Sequence, residues 1–281
     1  MIRMIVSDLD GTLLAGHHTI HPHNVAALRD AMAAGILFTV ASGRMAASCA
    51  KILASHGIPD SYIVAVNGCQ VVSPHGEVLE SHRLDTRTAK KVMSVFHVHG
   101  LDACLYTEDS IVYTSRSMLL GQEGLPDGTD LSRGLSVGGV HVRAGEAAML
   151  DALETIPLKA FCVCRPGQER AFEAARQACG RIAGVEMTSS WLDNFEVMPK
   201  AVSKGSAVAS LAGRLGIARE EVIAFGDHDN DISMIEWAGI GYAVENAAPR
   251  VKRAADAIVA ANVDGGVAEG VRRALVEAVE I

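Results

Sequence analysis

Asp8-Leu9-Asp10-Gly11-Thr12 sets two carboxylates two residues apart, directly after a strand-like run at 2–6. In extended or turning backbone that spacing can aim both side chains into one pocket, and Gly11 lets the chain turn sharply. Two such carboxylates resist joint ionisation, which separates their pKa values and their tasks. A metal ion would hold Asp8 as the anion while Asp10 keeps a proton to donate. An acidic turn after a strand gives the same pattern without any chemistry. Gly226-Asp227-His228-Asp229-Asn230-Asp231 is a second acidic run, again after a strand-like segment. Its like charges repel unless a cation or hydrogen-bond donors compensate. Mg²⁺ takes a few carboxylates, waters and phosphate oxygens, so Asp227 could complete a site begun by Asp8. A solvated loop ahead of a helix is the alternative. An EF-hand calcium loop does not fit, because neither its glycine nor its distal glutamate falls in place.

Two weaker segments join these. Ser42-Gly43 offers a hydroxyl and a backbone N–H to a phosphate oxygen at a helix start, although the same residues make an ordinary cap. Lys204-Gly205 opens a helix, where a lysine opposes the dipole and so favours a nearby anion.

The elements that must position these residues alternate strand and helix. Residues 2–6, 36–41 and 62–66 read as buried strands, with helices expected over 24–34 and up to Gly57. The pattern returns with a helix over 204–215, strands at 222–225, 241–244 and 257–259, and a closing helix over 267–279. This is an α/β chain with a doubly wound parallel sheet. Between the halves, strands are expected at 102–106, 111–114, 137–143 and 159–165, then a helix over 168–179 and short strands at 184–188 and 195–198. Residues 1–83 and 191–281 are therefore read as a catalytic core, and 84–190 as an inserted α+β cap with a mobile loop over 121–139. In open α/β sheets ligands sit at the carboxyl ends of the strands. Asp8, Ser42 and Asp227 all fall there, and Lys204 begins a helix feeding one of those strands.

Taken together, the four segments resemble the motifs of the haloacid dehalogenase superfamily, in its Cof-type group of phosphatases with a large α/β cap. Asn67-Gly68 and Glu245-Asn246-Ala247 match the habits of that group too, although relatives often carry glycine where Glu245 stands. The resemblance implies that Asp8 attacks phosphorus and becomes an aspartyl-phosphate. It implies that Asp10 protonates the leaving oxygen and then deprotonates water. It implies Mg²⁺ held by Asp8, the Asp10 backbone carbonyl and Asp227. Ser42, Gly43 and Lys204 would bind the transferring oxygens and Asn230 the phosphate end of the substrate. Asp231 would orient Lys204 or the metal shell, with Thr12 in support. The expected reaction is hydrolysis of a small phosphorylated metabolite, a sugar phosphate or similar. A mutase of the same fold, or a silent phosphometabolite-binding regulator, are the competing expectations.

Composition narrows the partners. A net charge of −8 gives no basic field for nucleic acid or anionic lipid. No apolar run approaches a bilayer span, and the opening run meets Asp8 too soon for a signal sequence, so the expected location is the cytoplasm. The six cysteines are read as reduced thiols. The histidine-rich stretch 17–23 has no spacing that fixes a metal geometry. Trp191 and Met198 are read as packing residues.

Overall fold

The computed structural model describes residues 1–16, 18–130, 135–191 and 193–277. It forms two compact units, Met1–Glu80 with Ser203–Ile281, and Ser81–Val202.

In the first unit eight strands form one sheet among the described residues. Their order is Ala257–Val259, Ile240–Val244, Val222–Gly226, Met4–Ser7, Leu37–Ala41, Tyr62–Ala65, Gln70–Val72, Val78–Ser81. The first six run parallel, and Gln70–Val72 turns back antiparallel to Tyr62–Ala65. Met4–Ser7 sits at the centre and is buried throughout, as a parallel strand covered on both faces must be. Met4, Val6 and Ala224 pack against Val208 and Leu211 of the helix Lys204–Arg214. On the opposite face Asn24 Oδ1 accepts from Ala268 N–H at 2.9 Å, tying Pro22–Ala33 to Gly266–Glu277. The expected doubly wound sheet is the observed one.

Among the described residues the second unit holds a seven-stranded sheet in the order Val185–Thr188, Asn194–Pro199, Lys159–Val163, Ala103–Tyr106, Ser110–Tyr113, Val140–Ala144, Leu135–Val137. Helices Thr86–Val98, Glu146–Glu154 and Glu169–Gly180 cover one face, burying Leu105, Val112, Cys162, Phe195 and Val197. The other face carries a buried ion pair, Lys159 to Glu196, with the Lys159 ammonium 4.2 Å from the Tyr106 ring centroid.

Three features depart from the sequence reading. The strand Asn194–Pro199 pairs with Lys159–Val163 and Val185–Thr188, so the return to the core falls after Val202 instead of at 190. The strand expected over 137–143 is a hairpin, broken by Gly138 and Gly139 at φ 59° and 92°. Two residues with positive φ make a turn whose twist matches the flanking strands. The loop expected over 121–139 contains the end of the helix Arg116–Gln122 and the strand Leu135–Val137, while 131–134 lie outside the described residues.

Met198 is buried, and Trp191 meets the Phe161 ring edge-on at 5.6 Å. His17 lies outside the described residues. His21 Nδ1 accepts from His23 N–H at 3.2 Å and caps a helix. No helix among the described residues is long and apolar enough to cross a membrane.

Candidate active site

The core sheet reverses its winding between Met4–Ser7 and Val222–Gly226. From the first strand the chain proceeds through Leu37–Ala41 and Tyr62–Ala65, and from the second through Ile240–Val244 and Ala257–Val259 in the other direction. Such a reversal leaves a crevice at the carboxyl ends of the two central strands. Asp8 follows one of them, its N–H donating to the Phe225 carbonyl at 2.9 Å, and Asp227 follows the other. Two short acidic segments, more than two hundred residues apart, thereby become neighbours.

Lys204 joins them. It is the first residue of its helix, and Ser203 caps that helix in a reciprocal arrangement with Ser206. Its ammonium donates to Asp8 Oδ1 at 2.5 Å and to Asp231 Oδ1 at 2.6 Å. The lysine side chain is wholly buried, not solvated as a helix-start lysine usually is. Asp231 Oδ2 accepts from the N–H groups of Asp227 and His228 at 2.9 and 3.0 Å. Asp231 is thus committed to holding Lys204 and its own loop. Asp8 Oδ2 accepts no hydrogen bond among the described residues. Thr12 Oγ1 donates to Asp227 Oδ1 at 2.9 Å. Gly11, at φ 79°, is approached so closely by the Asp227 carboxylate that a Cβ there would collide with it.

Oxygens of Asp8, Asp227 and Asp231 lie within 4.8 Å of one another. One lysine does not balance three acids. Burial, then repulsion from Asp231, push the Asp8 carboxyl well above its ordinary range, although Lys204 pulls the other way. The same two causes raise Asp227 to about 6. Burial tends to lower Lys204, but the Asp231 and Asp8 carboxylates outweigh it, and the ammonium is held more firmly than in water. An all-oxygen donor set with excess negative charge suits a hard divalent cation. Since Asp231 is already engaged, Asp8 and Asp227 are the side chains left to offer such an ion.

Asp10 stands apart from this cluster. Both of its oxygens accept from Arg44, from Nη2 at 2.6 Å and from Nε at 2.7 Å. Arg44 had no role in the sequence reading, because nothing local marks a pairing across 34 residues. Ser42 is buried, and its Oγ accepts from Arg44 N–H at 3.2 Å. It does not cap the following helix, which starts at Ala46 after Met45. Gly43 lies between Ser42 and Arg44 in the same loop. Asn230 donates through Nδ2 to Asn67 Oδ1 at 3.0 Å, a second partnership that no local pattern announces. Asn246, which the family resemblance picks out without a role, donates to the Gly11 carbonyl at 2.7 Å and braces the first turn.

Comparison with known proteins agrees with this architecture. The family described as haloacid dehalogenase-like hydrolase matches residues 5–271. Phosphatase YwpJ of Bacillus subtilis (strain 168) is 30% identical over 291 residues, covering 98% of this chain and 100% of that one. The 5-amino-6-(5-phospho-D-ribitylamino)uracil phosphatase YcsE of the same organism is 27% identical, covering 96% of this chain and 95% of its own. A solved haloacid dehalogenase-like hydrolase from B. subtilis superposes with a TM-score of 0.84 at 27% identity, over 96% of this chain and 99% of that one. A match of that extent, running through every segment that supplies the carboxylate–lysine cluster, makes the chain a member of the haloacid dehalogenase-like hydrolases, and among them a Cof-type phosphatase.

Proposed function

We infer that this phosphatase is Mg²⁺-dependent and hydrolyses a small phosphorylated metabolite through an aspartyl-phosphate on Asp8. The observation that carries the reading is the convergence of Asp8, Asp227, Asp231 and Lys204 at the winding reversal, with Asp8 Oδ2 accepting no hydrogen bond among the described residues. Lys204 fixes one oxygen of Asp8 and leaves the other as nucleophile. Attack on phosphorus forms the Oδ2–P bond as the ester P–O bond breaks, and Asp10 gives its proton to the departing oxygen. Asp10 then takes a proton from water, which attacks phosphorus and releases Asp8 and orthophosphate. Because Asp10 accepts from Arg44 through both oxygens, it must first leave that guanidinium and take up a proton from solvent, which it then passes to the leaving oxygen. Ser42, Gly43, Lys204 and Asn230 are assigned to the phosphate oxygens, and Thr12 and Asp231 to holding Asp227 and Lys204. Held by Asp8, the Asp10 carbonyl and Asp227, Mg²⁺ would offset repulsion between the carboxylate and the phosphate dianion.

The small-metabolite class is drawn from relatives such as YcsE, whose name specifies a phosphorylated ribitylaminouracil. A panel of sugar, polyol, nucleotide and vitamin phosphates, assayed with and without Mg²⁺, tests the reading. Free orthophosphate released only with the metal is expected from at least one ester. Conversion to an isomer without free phosphate would mark a mutase instead, and no turnover on any ester would sink the hydrolase reading.

The electrostatics give a separate test of the metal. Asp227 at about 6, against an ordinary 3.8, means that the folded chain holds an extra proton between those values. Its stability contribution therefore falls as pH rises through that window, and a bound cation restores it above. Mg²⁺ is expected to raise the melting midpoint clearly at pH 7.5 and only slightly at pH 5, by about 2–4 °C for each kcal/mol relieved. Asp227→Asn should melt above the metal-free wild type at pH 7.5 and lose the Mg²⁺ response. A midpoint shift of equal size at both pH values, or one retained in the variant, would show that the ion binds elsewhere.

A further inference from the structure

Val66 and Asn67 both have left-handed backbone, with φ of 52° and 56°. A β-branched residue in that region is a genuine outlier, and such strain persists only where the surroundings over-determine it. Both residues are buried, at 0% and 1% exposure, directly after the strand Tyr62–Ala65. What holds them is specific. Val66 N–H donates to the Arg44 carbonyl and Asn67 N–H to the Ser42 carbonyl, each at 2.9 Å. The Asn67 side chain accepts from Asn230 Nδ2 at 3.0 Å. Gly68, at φ 100°, lies so close to the start of the Lys204 helix that a Cβ would strike the Ser203 carbonyl and touch Ala207. One three-residue turn therefore touches the loops bearing Ser42, Arg44 and Asn230 and the helix bearing Lys204.

We propose that Asn67 is a positioning residue that sets Ser42 and Asn230 at a fixed separation before phosphate arrives. Its backbone holds the Ser42 loop and its amide oxygen holds the Asn230 amide, so a single residue joins two phosphate-binding groups that share no chain segment. Left-handed backbone brings both connections to bear at once. An extended residue would aim its N–H and its side chain apart. The inference rests on the assignment of Ser42 and Asn230 to phosphate oxygens made above.

Asn67→Gly separates the side chain from the backbone. Glycine keeps the N–H to Ser42 and adopts positive φ without strain, so the variant is expected to fold, with a midpoint lowered by only about 2–4 °C for the lost side-chain hydrogen bond. Calorimetric titration with inorganic orthophosphate, in Mg²⁺ buffer, should show affinity weakened roughly tenfold, the size of one well-placed hydrogen bond. Asn230→Ala should weaken it similarly. The double variant should be no worse than the weaker single, because the two residues act as a unit. Unchanged orthophosphate affinity in Asn67→Gly, or single effects that multiply in the double variant, would overturn the proposal. The phosphatase reading is decided separately by wild-type turnover on the ester panel, and a wild type that turns over esters yet binds no orthophosphate would overturn this proposal alone.

Discussion

Asp8→Asn is expected to abolish phosphate release, by at least about 10⁴-fold, while leaving the fold intact or firmer. The amide keeps the volume of the carboxyl and can still accept from Lys204 through its oxygen. It removes a charge that burial and Asp231 both disfavour. Lys204 then pairs with Asp231 alone, and the three-acid, one-lysine imbalance is reduced. Loss of turnover should therefore come with a melting midpoint at or above that of the metal-free wild type, which excludes unfolding as its cause. Acid-quenched wild-type enzyme should carry a base-labile phosphoryl group on the peptide that contains Asp8, and the variant should carry none. Turnover above about one hundredth of wild type would mean that phosphorus is attacked by water directly, with Asp8 in a supporting part.

Why this residue could be found without a structure, and its partners only in part, follows from the range of the forces involved. Asp8 and Asp227 each end an apolar strand, and a strand buried on both faces leaves a continuous hydrophobic run in the sequence. The rule that ligands gather where parallel strands end then brings them together from topology alone. Lys204 is legible for the same reason, since it stands at a fixed offset from a helix start, whereas Thr12 enters only through the family resemblance, its partner Asp227 lying 215 residues away. Arg44 and Asn67 are not. Their functions lie in pairings with Asp10 and Asn230 that cross 34 and 163 residues, and side-chain periodicity carries no record of such contacts. Arg44 follows Ser42-Gly43 directly, but the local sequence gives it no partner and so no task. In the second unit, Gly138-Gly139 was visible, yet one apolar residue on either side was enough to read a strand through it. Asn194–Pro199 was seen as a strand but placed beyond the boundary, because only its pairing with Lys159–Val163 assigns it to a sheet.

Lys204→Met should have the largest combined effect on stability and rate. The ammonium lies between two carboxylates at 2.5 and 2.6 Å with its side chain shielded from water. Methionine fills similar space but leaves Asp8 and Asp231 buried against each other without a counter-charge. Removing one partner of a buried ion pair costs about 3–5 kcal/mol, which in a chain of this size lowers the melting midpoint by the order of 10 °C. The loss should be greatest at pH 8 and smaller near pH 5. Asp8, already raised by burial and Asp231, takes up a proton on acidification and relieves the repulsion. Turnover should fall by a further effect, of at least about 10²-fold, because the cation we assign to the transferring oxygens is gone. The two losses can be parted. Lys204→Met combined with Asp231→Asn removes one of the stranded charges and should recover most of the midpoint, since an amide oxygen can still accept from the Asp227 and His228 N–H groups. It should recover none of the rate. A double variant that regained both would show that Lys204 serves the fold alone, and a single variant that melts like wild type would show that its ion pairs contribute nothing.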